Sequence, residues 1–409
     1  MTKRVVRTLK PPVTSNVRYV NSMKKMPVPI SCSIPRNLRC LAGFFAILLV
    51  ASSLVSASEG AGASSTYQPA HYDLSGLPVY QPEHRLIGVL RIYGTPLDGL
   101  VGKLNTAFRG MHGQIRLHAY LINTSQGMAG LTTGLADIGL MGHKTWHTSR
   151  VAFEKVYGYP PLEIKFASGS YDDPAGTTPG LMFIVNKKNP LNGLTLEQID
   201  GIFGTQRTGG WEGSKWTTAA ARGPEKNIRT WGQLGLTGEW ANQAIKPYGS
   251  DITISNWNDL IQQECFKGGT KWNPAFNENN RADIALKAKG KNADQRIIEG
   301  VLNDPYAIGF MFQRVINKMK ADVKVLPLAA KAGGPYVAPS AQTFFDGSYP
   351  MRNGAYFYLN RVPGQPLSLR EKEFVRFVLS REGQQIIADD RLFIPLNAEQ
   401  IKAELKKLE

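Results

Sequence analysis

The sequence predicts an α/β protein whose sheets are mostly parallel and covered by helices. Two observations carry this. From Leu86 to Met141 the apolar pattern alternates strand, helix, strand, helix, strand, an order that lays parallel strands beneath helical crossovers. The same device, a strand ending in a hydroxyl-bearing loop that opens a helix, recurs between Ala244 and Leu260. No repeat of fixed period is present.

The first strand is Leu86–Tyr93. Gly94-Thr95-Pro96 follows, with a proline placed to start a helix that runs to Phe108. Ile115–Leu121 is the next strand. It enters the stretch Ile122–Gly142, where Asn123, Thr124 and Ser125 stand at a helix start, Met128, Leu131 and Leu135 recur at helical spacing, and Ala136–Met141 reads as an apolar strand. A helix start carrying hydroxyls beside a strand end suits something small and negative. In an open α/β sheet, ligands sit at such loops, beyond the carboxyl ends of strands.

The second unit begins near Pro179. Gly180–Asn186 is a buried-type strand, and Thr195 with Gln198 forms a capping box ahead of Leu196–Phe203. Gly204–Gly235 reads as a polar, tryptophan-bearing loop. Ala244–Asp251 is a strand leading to Thr253, Ser255 and a helix through Leu260. Asp304–Phe310 and Gly354–Asn360 are strands of a returning chain. Ser368 with Glu371 caps a long amphipathic helix, and Leu392–Asn397 precedes a charged terminal helix.

The chain has 409 residues and a formal net charge of +16, unevenly placed. Nine of the 48 basic residues lie between Met1 and Ala57, where there is no Asp or Glu, so the remainder carries 39 basic against 32 acidic residues, a net of +7. That mild balance does not call for nucleic acid. Basic residues, the apolar run Leu41–Val50 and the small-residue stretch ending at Ala57 give an export signal over 1–57, cleaved near Ala57, with Met23 or Met26 as alternative starts. Residues 58–85 read as a flexible entry segment. The mature protein is expected outside the cytoplasm, periplasmic or secreted, and monomeric. Cys32 and Cys40 lie in the leader, which leaves Cys265 alone and excludes an internal disulfide or a cysteine metal cluster.

Several chemistries find no support. Gly204–Gly210 lacks the Gly-Lys-Ser/Thr ending of a phosphate-binding loop, and no Gly-x-Ser-x-Gly elbow, cysteine–histidine pair or carboxylate cluster stands out. His143 and His147 are four apart, but Lys144-Thr145-Trp146 lie between them and no third ligand is apparent, so no metal or other cofactor is assigned. Six tryptophans between Trp211 and Trp272 read as packing, with room for one to line a cleft.

Four segments in order carry a resemblance: Gly127–Met141, Gly193–Phe203, Ala307–Phe310, and the set Gly354–Asn360, Phe374–Gln384 and Ile394–Leu396. Together they resemble the PstS-like phosphate-binding proteins of ABC transporters, over roughly Leu86–Ala398. The resemblance implies a two-lobed periplasmic-binding-protein-like fold of type II, each lobe a mostly parallel sheet flanked by helices, joined by a hinge. Lobe one would hold 86–178 and lobe two 179–303, with 304–409 returning to lobe one. The implied activity is capture of inorganic phosphate or a similar oxyanion for an ABC permease of the inner membrane, without catalysis. Alternatives are a sensor for another small polar ligand and, last, an exported phosphatase.

The resemblance also places the site. Thr95 matches a hydroxyl in the first strand–helix loop, and Thr124 or Ser125 a hydroxyl that opens the next helix. Gly142 and His143 stand where related proteins hold Ser-Asp or Ser-Arg, and His143 is the candidate for positive charge there. The facing wall would be Ser250, Asp251, Thr253 and Ser255, where related proteins carry Ser-Gly-Thr. Asp137 is read as structural.

Overall fold

The structure is a computed structural model and describes residues 72–172, 178–250, 252, 256–280, 289–290 and 292–409. The leader, its cleavage point and most of the entry segment fall outside the described residues. Residues 65–409 form one compact unit.

The main elements, in chain order, are β1 (Ile87–Gly94), α1 (Asp98–Met111), β2 (Gln114–Tyr120), α2 (Ser125–Thr132), β3 (Ile138–Met141), α3 (His147–Tyr157), β4 (Leu162–Ser168), β5 (Met182–Asn186), α4 (Leu196–Phe203), β6 (Lys246–Ser250), α5 (Asn256–Glu264), β7 (Asn277–Asn279), α6 (Ala293–Asn303), β8 (Ala307–Met311), β9 (Val323–Val325), β10 (Gly354–Leu359), α7 (Leu369–Val378), α8 (Arg381–Asp390) and α9 (Ala398–Lys406). They build two five-stranded sheets, ordered β2-β1-β3-β10-β4 and β7-β6-β8-β5-β9. In the first, β1 runs parallel to β2 and β3, while β10 is antiparallel to β3 and β4. In the second, β6 runs parallel to β7 and β8, while β5 is antiparallel to β8 and β9.

The two sheets thus share one plan. Four strands run one way and a single reversed strand sits fourth in the order. The reversed strand comes last in the chain for the first sheet and first for the second. The chain therefore crosses between the sheets twice, at 169–181 and again between β9 and β10. This matches the expected pair of mostly parallel sheets flanked by helices. One boundary differs: β8, placed by sequence on the returning side of residue 304, is the middle strand of the second sheet. Its neighbours are β5 and β6, and nothing in five apolar residues specifies which sheet they join.

Backbone approach explains the glycine-rich stretch around α2. A Cβ on Gly139 would lie 2.7 Å from the Gly127 carbonyl oxygen, and one on Gly127 would lie 2.9 Å from that of Leu140. Helix and strand are in backbone contact, which only residues without side chains permit. Asp137 ties down the strand's start. It accepts from the Arg91 backbone N–H (2.7 Å) and from Arg91 Nη2 (2.6 Å) and Nε (3.1 Å). Burial acts to raise this carboxyl's pKa, but the Arg91 hydrogen bonds outweigh it and hold it below its ordinary value.

The Thr195–Gln198 capping box forms as read, with Thr195 Oγ1 accepting from Gln198 N at 3.1 Å and Thr195 N donating to Gln198 Oε1 at 2.9 Å. The helix expected after Ser368 is two helices, α7 and α8, and the second has its own cap at Ser380. The expected loop at 204–235 includes the ribbon Gly210–Glu212 paired with Lys215–Thr217. Buried charge anchors it. Arg207 grips Asp200 through two bonds of 2.8 and 2.7 Å, and Arg222 lies 3.3 Å from the same carboxylate. Removing one partner of a buried ion pair leaves the others uncompensated. Asp200→Asn is expected to lower stability by about 3–5 kcal/mol, read as a fall in the urea midpoint at unchanged slope.

Candidate functional site

The carboxyl ends of β1 and β3 meet where the first candidate residues lie. Gly94 has φ +146°, and a Cβ there would sit 1.9 Å from the Leu140 carbonyl oxygen. This approach carries Thr95 into the strand ends. Its N–H donates to Leu140 O (3.0 Å), and its hydroxyl accepts from Gly142 N (2.8 Å). The same hydroxyl lies 3.1 Å from Thr124 Oγ1 and 3.3 Å from Leu140 O, so its single hydrogen is shared between them. Thr178 comes from the first crossover: its Oγ1 would be 3.0 Å from a Cβ on Gly142. Thr95, Thr124, Thr178 and the Gly142 amide thus form one hydroxyl-lined floor, largely buried.

The other candidates are distributed differently. Ser125 is exposed, and its hydroxyl donates to Asn123 Oδ1 at 2.5 Å. Asn123 also accepts from Gln126 N (3.2 Å), so Asn123 caps α2 and Thr124 is left to meet Thr95. His143 is buried, with Nδ1 2.6 Å from the Lys144 carbonyl oxygen and its ring 4.5 Å from that of Trp146. Burial pushes the imidazole below its ordinary pKa against the opposing Lys144 hydrogen bond, which disfavours the positive charge expected of it. Ser250 is buried at the end of β6, and its carbonyl accepts from Asn258 Nδ2 at 3.1 Å. Asp251, Thr253 and Ser255 lie outside the described residues.

Beside the floor, a cavity of about 190 Å³ opens between the loop after β3 and α3 on one side and α5 with the 210–217 ribbon on the other. Lys144, Thr145, Arg150, Trp211, Asp259 and Gln263 are among its walls. A smaller recess, about 20 Å³, shares Lys144, Asp259 and Gln263 and reaches His143, Arg352 and Tyr356. Among the described residues, contacts that join the two sides include the His147 ring stacked on Trp211 (5.1 Å, 16°), Lys144 Nζ 3.6 Å from Glu264, and Ser214 Oγ donating to Glu154. Among the described residues, Trp211 is the tryptophan in the walls of this cavity. No sequence motif surrounds Arg150, Lys144 or Asp259. The only signal was their nearness to the strand end at Gly142 and to the α5 start.

Burial pushes the Asp259 carboxyl up to about 6, against smaller opposing effects of its Gln263 hydrogen bond and of Lys144. A raised carboxyl leaves stability intact below its unfolded pKa, near 4, and costs it as the pH rises through the folded value. Asp259→Asn is therefore expected to be neutral near pH 4 and stabilising above pH 6, by up to about 3 kcal/mol. Thermal melts of both proteins across that range test this; a constant offset at every pH would contradict it.

No protein-family model matches the chain. The chain is 28% identical to the phosphate-binding protein PstS of Pseudomonas aeruginosa over 363 residues, 88% of this chain and 98% of that one. It is 24% identical over 219 residues to protein SphX of Synechococcus elongatus, covering 53% of this chain and 54% of the relative. Among solved structures, PstS from Borrelia burgdorferi aligns at a TM-score of 0.47 and 13% identity over 76% of this chain and 99% of its own. An ABC-type phosphate transport receptor from Vibrio cholerae aligns at 0.45 and 16%, over 75% and 99%. The chain is thus similar to a phosphate-binding protein along almost the whole length of that Pseudomonas relative, and the four sequence segments resembled the same group.

Proposed function

We propose that this protein is an exported solute-binding protein that captures phosphate or a similar oxyanion between its two sheets and delivers it to an ABC-type permease. The observation that carries the reading is the end-to-end likeness to a phosphate-binding protein, 98% of which is covered. The hydroxyl floor supports it chemically. Thr124 accepts from Thr95 and keeps its own O–H for a further acceptor, and neutral O–H and N–H donors hold an oxyanion through charge-assisted bonds.

In this reading the two crossovers, at 169–181 and between β9 and β10, are the hinge. One lobe is the sheet of β1–β4 and β10, the other the sheet of β5–β9. Ser250, at the end of β6, belongs to the facing wall in this reading; Asp251, Thr253 and Ser255 lie outside the described residues. Closure follows because a ligand that touches both lobes favours the shut state. The protein acts as a monomer outside the cytoplasm, after removal of its leader near Ala57, and performs no catalysis.

A second reading, a sensor or binding protein for another small polar ligand, is favoured by one observation. His143 is buried, which disfavours a charged imidazole beside the floor.

Calorimetry with phosphate, sulfate and arsenate separates the two readings. Tight binding of phosphate supports the first, and no response to any oxyanion overturns it. Thr95→Val removes the hydroxyl that joins Gly142 and Thr124 while keeping the side chain's volume. It is expected to weaken phosphate at least tenfold, about 1.4 kcal/mol, whereas Ser125→Ala changes affinity by less than twofold. Equal effects of the two substitutions would place the anion elsewhere.

A further inference from the structure

One hydroxyl of the floor is uncommitted. Thr178 is only 4% exposed, yet among the described residues its hydroxyl makes no hydrogen bond. Its neighbours are engaged. Thr95 Oγ1 accepts from the Gly142 amide and gives its hydrogen to Thr124 or to Leu140 O. The floor therefore keeps two O–H groups for a further acceptor, those of Thr124 and Thr178.

The backbone fixes where the Thr178 hydroxyl stands. Its carbonyl accepts from Ser170 N (3.1 Å), Gly180 N donates to Ser170 O (3.0 Å), and a Cβ on Gly169 would lie 2.3 Å from the Thr178 carbonyl oxygen. The β-branched side chain then has few rotamers open to it.

Gly142 makes room for that hydroxyl. Its φ is not positive, so its backbone alone would accept any residue. A side chain is excluded for another reason: its Cβ would meet Thr178 Oγ1 at 3.0 Å and Thr95 Cγ2 at 3.2 Å. The volume beside Gly142 is filled from the crossover instead.

A buried hydroxyl without a partner costs stability, so a ligand acceptor is the natural occupant. Ser168 and Ser170, in the same crossover, also carry unpartnered hydroxyls, but those are sealed from solvent; the Thr178 hydroxyl is not.

We propose that Thr178 is a ligand-contacting residue of the anion site, its hydroxyl donating to an oxygen of the bound oxyanion beside that of Thr124. The proposal rests on the phosphate reading above and deepens it. The anion is then held partly by a crossover and not only by the strand–helix loops of one sheet.

Calorimetry with inorganic phosphate, sulfate and arsenate on the purified parent, Thr178→Val and Thr178→Ser, with a thermal melt of each, tests this. Thr178→Val keeps the shape and removes the hydroxyl. It is expected to weaken the anion at least fivefold while the melting temperature holds or rises, since no hydrogen bond within the protein is lost. Thr178→Ser, which keeps the hydroxyl, is expected to stay within twofold of the parent. Should Thr178→Val melt several degrees lower, Thr178→Ala against Thr178→Ser decides, because those two differ by the hydroxyl alone.

An affinity unchanged in Thr178→Val overturns the proposal and leaves phosphate capture standing. Equal losses in the valine and serine variants, or equal affinities of the alanine and serine variants, overturn it too, since the methyl group would then be what matters. A parent that binds none of the three anions removes the capture reading, and this contact with it.

Discussion

The close approach of backbones at the carboxyl ends of β1 and β3 is the constraint on which the first half depends. Gly94 meets Leu140, and Gly127 meets Gly139 and Leu140, at distances that a single methyl group would violate. Because the strands and α2 touch through their backbones, the loops they carry are brought to one spot. Thr95 then reaches the Gly142 amide and the Thr124 hydroxyl without any long side chain bridging the gap. An alanine at Gly94 would clash with the Leu140 carbonyl and would also need a positive φ. The geometry of the floor is therefore a product of backbone packing, and its side chains are short because there is no room for longer ones.

The return of one strand has a mechanical consequence. The second sheet is built of the consecutive strands β5–β9, whereas the first is closed only afterwards, when the chain returns as β10. Two covalent crossovers run side by side, with bonds between them: Gly169 N donates to Asn353 O (2.9 Å), and Leu181 N donates to Met351 O (2.9 Å). A pair of tethered strands bends more readily about one axis than about others, which is the property a hinge requires.

Much of this was legible in the sequence because it is local. The helix start and strand at 123–141 and the Thr195–Gln198 box follow from spacing alone, whereas the structural role of Asp137 came from the resemblance. Strand partners did not, because β8 reads the same whichever sheet it joins. Ser125 was read with Thr124 as one feature, yet one residue along a helix start turns a side chain by about 100°, enough to send one inward and the other to solvent. Arg150 was missed for a different reason. It sits on a helix face with no motif around it, and it acquires meaning only when a ribbon more than sixty residues later closes over it. His143 was read for its charge, but its burial, which disfavours that charge, depends on contacts that sequence spacing does not reveal.

The division of charge between floor and flank follows from the cost of burial. A cation on the dry floor would need compensation whenever the site is empty, whereas neutral hydroxyls satisfy one another, as Thr95 and Thr124 do. The cations Lys144 and Arg150 stand instead at the flank, where the walls come from both halves of the protein. The contacts that join those halves there are weak singly: one ion pair at 3.6 Å between half-exposed groups, one ring stack and one side-chain hydrogen bond.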